Sequence, residues 1–125
     1  MSGQIVLRIL LCGLFIGSGS AAYAEQTEWF EGRQQYAVEK RLKGKLLNRI
    51  ECRDTGRLGL DVADFEYRVS YSDNPDGIKY FWAIGSAFGP QRERAKRQGY
   101  EMVSYENFLR KQSGLKVHCA VWHKK

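Results

Sequence analysis

The most regular pattern along the chain lies at Phe65–Tyr71, where Phe65, Tyr67, Val69 and Tyr71 share one parity and Glu66, Arg68 and Ser70 the other. A period of two sends the first set to one face of a strand and the second to the opposite face. Leu115–His123 repeats the pattern, with Leu115, Val117, Cys119, Val121 and His123 set against Lys116, His118, Ala120 and Trp122. Tyr100–Phe108 has extended character with looser alternation. Ile78–Ile84 is apolar at both parities, as expected of a strand that is central or covered by a helix. Leu46, Asn48, Ile50 and Cys52 fall on one parity against Leu47, Arg49 and Glu51, an imperfect strand for which a continuing helix is the alternative.

Helical spacing marks two other stretches. From Glu25 to about Lys43, apolar residues at Trp29, Phe30, Tyr36, Val38 and Leu42 suit a helix with one buried stripe, ended by Gly44. After Pro90, which tolerates a first helical turn, Gln91–Gln98 predicts a strongly charged helix that has only Ala95 and Phe88 to bury and stops at Gly99. Asp54–Asp64 is a connection. Ser72–Gly77 is dense in turn residues, which predicts that Phe65–Tyr71 and Ile78–Ile84 pair as a hairpin, and Lys111–Gly114 turns the last two strands into another. The order is a helix, three strands, a helix and two strands. It predicts an α+β domain: one antiparallel sheet of about five strands with two helices on one face.

The N-terminal residues set the compartment. One charge at Arg8, an apolar run at Ile9–Ile16 and the small-x-small Ala22-Tyr23-Ala24 predict a secretory signal peptide over residues 1–24, cut after Ala24. Residues 25–125 are then one domain, and no transmembrane segment remains after cleavage, since an apolar run that short is far below the roughly 20 residues a spanning helix needs. Loss of Arg8 lowers the formal charge from +6 to +5, so the exported chain stays basic. Cys12 leaves with the peptide. Cys52 and Cys119 remain in an oxidising periplasmic or extracellular space, where an even count favours one disulfide of a single possible connectivity.

Few residues carry recognisable chemistry. His118, Cys119 and His123 resemble a metal cluster, but His118 opposes the other two by parity, and Cys119 and His123 stand about 13 Å apart along a strand, too far for ligands held about 2.0–2.3 Å from one zinc ion. No cofactor is expected. Ser70, Ser104 and Ser113 lack a nucleophile elbow, and Asp61 with Glu66 is the paired-carboxylate alternative for a small secreted hydrolase. The stronger candidates are two basic segments, Lys40, Arg41, Lys43 and Lys45 in one and Arg92, Arg94, Lys96 and Arg97 in the other, which form one positive face if the helices lie side by side. Tyr67, Tyr71 and Trp82 are candidate aromatic contacts.

Gly99-Tyr100, Val103-Ser104 and Ala120-Val121-Trp122, following a short helix, resemble the repeat unit found in tandem in some bacterial secreted proteins: helix, Gly-Tyr, strand, turn, strand, Trp. The resemblance covers the C-terminal third, departs at Cys119, has no second copy, and implies a bacterial extracytoplasmic hairpin module without a catalytic residue. The expectation is a small exported protein of non-enzymatic binding type. Its partner is a protein or an anionic envelope polymer or lipid, with nucleic acid disfavoured by export. A secreted effector or inhibitor acting on a host or envelope protein, a small hydrolase, and a structural subunit of an envelope assembly are the alternatives.

Overall fold

A computed structural model describes residues 25–57, 64–111 and 113–124; the expected signal segment 1–24 with Cys12, and Asp61 of the proposed carboxylate pair, lie outside the described residues. In chain order the elements are β1 (Glu25–Gln26), β2 (Phe30–Glu31), α1 (Gln35–Arg41), β3 (Lys45–Asp54), β4 (Phe65–Asp73), β5 (Lys79–Gly85), α2 (Phe88–Arg97), β6 (Tyr100–Leu109) and β7 (Lys116–Lys124). All five expected strands are present in an antiparallel α+β architecture. They form two sheets instead of one.

The first sheet is built around β4. On one side β3 pairs with it from Lys45↔Asp73 to Asp54↔Phe65, and on the other β1 and β2 pair with its two ends. These short strands are two pieces of one broken edge. Between them Thr27 bonds Val69 twice, its N–H donating to the Val69 carbonyl at 2.9 Å and its Oγ1 accepting from the Val69 N–H at 3.1 Å. The helix expected from Glu25 therefore begins only at Gln35, after one 3-10 turn at Gly32–Gln34. Residues before it satisfy the open edge of β4, a demand that local spacing does not display.

Both sides of β4 being occupied, β5 cannot pair with it, and the expected hairpin does not form. The turn residues instead carry the chain to the second sheet, ordered β5-β7-β6. Asn74 shapes the crossing: its Nδ2 donates to the Ile78 carbonyl and its Oδ1 accepts from the Ile78 N–H, both at 2.9 Å. The β6–β7 hairpin does form, from Tyr100↔Lys124 to Leu109↔Lys116, and is closed by the Arg110 N–H on the Leu115 carbonyl at 2.9 Å.

The inner faces of the sheets enclose Leu47, Ile50, Tyr67, Val69, Trp82, Cys119 and Val121, together with Val38 and Leu42 at the C-terminal end of α1. Each such aliphatic side chain contributes about 1.5–3 kcal/mol on burial. A break in register after Leu47 leaves Asn48 as a bulge, and this is why Leu47 and Ile50, of opposite parity in sequence, both face the core. On the far side of the second sheet, α2 lays Phe88 and Ala95 on Ala120 and Trp122. The helices thus lie against opposite faces of that sheet rather than on one face. The physical reason is visible in β5 and β7, whose apolar residues at both parities leave two faces to be covered.

Specific bonds tie the two sheets together. The Ile50 N–H donates to Ser104 Oγ at 3.0 Å where β3 meets β6, and Cys52 and Cys119 form the expected disulfide, their Cα atoms 6.5 Å apart. Gly44 at φ +84° and Gly99 at φ +82° follow the two helices in the left-handed conformation that glycine adopts without strain. Among the described residues no helix is long and apolar enough to cross a membrane.

Candidate anion-binding face

Ion pairing separates the basic residues into two populations. On the first sheet and at the end of α1 most cations are matched: Arg41 with Glu28 at 3.1 Å, Lys45 with Asp73 at 2.6 Å, Arg53 with Glu66 at 3.0 Å and Arg68 with Glu51 at 3.0 Å. Trp29 lies within this lattice, with the Arg53 guanidinium 3.8 Å and the Arg68 guanidinium 4.7 Å from its ring centroid. Its position explains the tryptophan that the helical reading had assigned to a buried stripe.

Helix α2 is different. Arg92, Arg94, Lys96 and Arg97 are all exposed, and among the described residues none has a carboxylate partner. Within the helix itself four cations face a single carboxylate, Glu93. Two of the cations lie along aromatic rings, Arg92 at 5.9 Å from Phe88 at the start of the same helix and Arg94 at 5.9 Å from Phe81 on β5. Lys124 lies 5.7 Å from the Tyr100 ring at the same sheet's end.

Of the first basic segment, Lys40, Arg41 and Lys43 are exposed and Lys45 half-buried, but α1 packs on the other face of the second sheet. Arg41 and Lys45 are also neutralised by Glu28 and Asp73. The two segments therefore do not make one positive face, and the α2 group stands by itself. Nor are Tyr67 and Trp82 surface contacts: they are 0% and 5% exposed, because the aromatic parity of β4 points between the sheets. Tyr71 is half-buried at the end of that row.

Beside α2 the outer face of the β6–β7 hairpin holds a polar chain. Asn107 Nδ2 donates to the Tyr105 hydroxyl at 3.1 Å, and that hydroxyl lies 2.6 Å from His118 Nδ1. Phe88 stacks on the imidazole with centroids 4.7 Å apart and on Trp122 at 5.8 Å. Burial, followed by the charges of Lys116 and Arg92, pushes the His118 pKa below its usual value, so the ring is neutral at neutral pH. Sequence reasoning missed this cluster. The signal was available: the turn at Arg110–Leu115 sets the register that brings Asn107 opposite His118, with Tyr105 two residues further on the same face.

The remaining histidine is elsewhere, His123 Nε2 lying 2.6 Å from the Leu47 carbonyl inside the fold. Ser104 Oγ is occupied by the Ile50 N–H, and Glu66 by Arg53. A cleft of about 210 Å³ opens near the start of α2, lined by Phe65, Ile84, Phe88, Gln91, Arg110 and Val117 among others. Its cation is already engaged, since buried Arg110 lies 3.5 Å from Asp54 and 3.6 Å from Asp64 and donates to the Arg57 carbonyl at 2.7 Å.

The fold and site define a small two-sheet α+β domain, closed by one disulfide and carrying an unpaired cationic helix. No protein-family model, curated protein or solved structure matches the chain.

Proposed function

We propose that this is an exported, periplasmic or secreted, binding protein of non-enzymatic type that engages an anionic partner of the cell envelope through α2. The observation that carries the reading is the contrast in pairing: among the described residues Arg92, Arg94, Lys96 and Arg97 are exposed without carboxylate partners, while Arg41, Lys45, Arg53 and Arg68 are matched. A run of unneutralised charge raises the self-energy of the folded protein and is relieved by a polyanion, whose released counterions add a driving force that falls with salt. The rings of Phe88 and Phe81 restrain the Arg92 and Arg94 guanidinium groups and lower the entropy lost on docking.

The test is retention on an immobilised anionic polymer across a salt gradient. The intact domain is expected to bind at low ionic strength and to elute as salt rises. Arg94→Glu with Arg97→Glu should weaken binding roughly tenfold or more, whereas Lys40→Glu with Lys43→Glu should have a much smaller effect. Equal losses from both pairs, or no salt-dependent retention, would refute the assignment to α2.

A further inference from the structure

We infer, building on the reading above, that His118, Tyr105, Arg92 and Lys116 form a subsite for an anionic sugar residue of a polysaccharide, a ring that carries an oxyanion. The Tyr105 hydroxyl has two neighbours, and Asn107 Nδ2 is a donor, so the hydroxyl accepts from Asn107 and gives its own hydrogen to His118 Nδ1. The reverse arrangement would leave the tyrosyl hydrogen without an acceptor among the described residues. In the neutral imidazole the remaining hydrogen is then on Nε2, and no described residue accepts it.

This places a fixed N–H donor beside two cations. Lys116 shares the outer parity of β7 with His118, and Arg92 reaches the group from α2 across the Phe88 ring that stacks on the imidazole. An oxyanion satisfies the donor and both charges together. The Tyr105 ring adds the second requirement: it is 40% exposed and lies 5.8 Å from the imidazole, tilted by 33°, an open aromatic surface next to the anion position. Such a surface packs against the C–H face of a sugar. A bare anion leaves the ring uncovered, and a neutral sugar leaves the cations unsatisfied.

Calorimetry with polygalacturonate, neutral dextran and polyphosphate separates these cases, read together with the ring-nitrogen NMR signals of His118. Polygalacturonate is expected to bind and to shift Nε2, and dextran to do neither. His118→Leu should weaken both anionic polymers about fivefold, the size of one lost hydrogen bond, whereas Tyr105→Leu, compared with Tyr105→Phe, should weaken polygalacturonate about threefold further and leave polyphosphate unchanged within about twofold. Equal polygalacturonate binding by Tyr105→Leu and Tyr105→Phe, or no effect of His118→Leu, overturns the subsite, as does polygalacturonate binding to the unmodified protein with an unmoved His118 signal. If neither anionic polymer binds, the envelope-polyanion reading of α2 fails and the subsite with it.

Discussion

Tyr67 and Trp82 meet edge to face across the space between the sheets, ring centroids 5.5 Å apart at 72°, and each buries a polar atom that no described residue satisfies. Burial pushes the Tyr67 pKa up, with Glu39 adding to it, so the phenol is neutral throughout the accessible range. A hydroxyl buried without a partner has lost its bonds to water, a cost of about 1–3 kcal/mol. Tyr67→Phe keeps the ring contact and removes the cost. Urea denaturation should show a variant as stable as the parent or more stable by up to about 1 kcal/mol, and a clear loss would mean that the hydroxyl has a bonded water or other partner.

Glu51 gives the fold an acid-sensitive element. Arg68 holds it with two hydrogen bonds, Nε on Oε1 at 3.0 Å and Nη2 on Oε2 at 3.2 Å, and Gln26 Nε2 donates to Oε1 at 3.0 Å. The Arg68 bonds lower the Glu51 pKa from its ordinary 4.5, burial opposes them, and Arg49 and Gln26 add to the lowering. A carboxylate whose folded pKa lies below its unfolded value stabilises fully above about pH 4.5 and loses that contribution as pH falls through the folded value. Glu51→Gln should therefore cost about 0.5–1 kcal/mol at pH 7, allowing for the partial exposure of the pair. The difference from the parent should vanish under strongly acidic conditions, as read from denaturation midpoints across the pH range.

Cys52 and Cys119 are 67 residues apart in sequence, and closing a loop of that length in the unfolded chain is worth about 4 kcal/mol. Reduction, or the paired replacement Cys52→Ala with Cys119→Ala, should lower unfolding stability by about 3–4 kcal/mol. Thiol titration of the folded, unreduced protein should find neither cysteine free.

The elements were legible in the sequence where periodicity was local. The parity of Phe65–Tyr71, the two-sided apolar run before Gly85 and the glycines at 44 and 99 each announced a feature that the structure contains. What could not be read was which strand lies beside which. Ser72–Gly77 looks the same whether it closes a hairpin or crosses between sheets, and the choice depends on Glu25–Glu31 having already taken the free edge of β4. Parity within β3 was misleading for a smaller reason, the bulge at Asn48. At the candidate site the charges of α2 were plain. Their isolation was not, because pairing of Arg53 with Glu66 and of Arg68 with Glu51 is decided by strand register.

The two sheets divide the chain at one point. Every strand of the first lies before Asn74 and every strand of the second after Gly77, so a single short crossing is the peptide connection between two contiguous halves. Pro75, Asp76 and Gly77 in that crossing are exposed, as segments open to proteolytic nicking are. A cut there would not release either half: Cys52 and Cys119 would keep them as a two-chain molecule, with α2 and its cations on the C-terminal chain and the ion-paired lattice around Trp29 on the other.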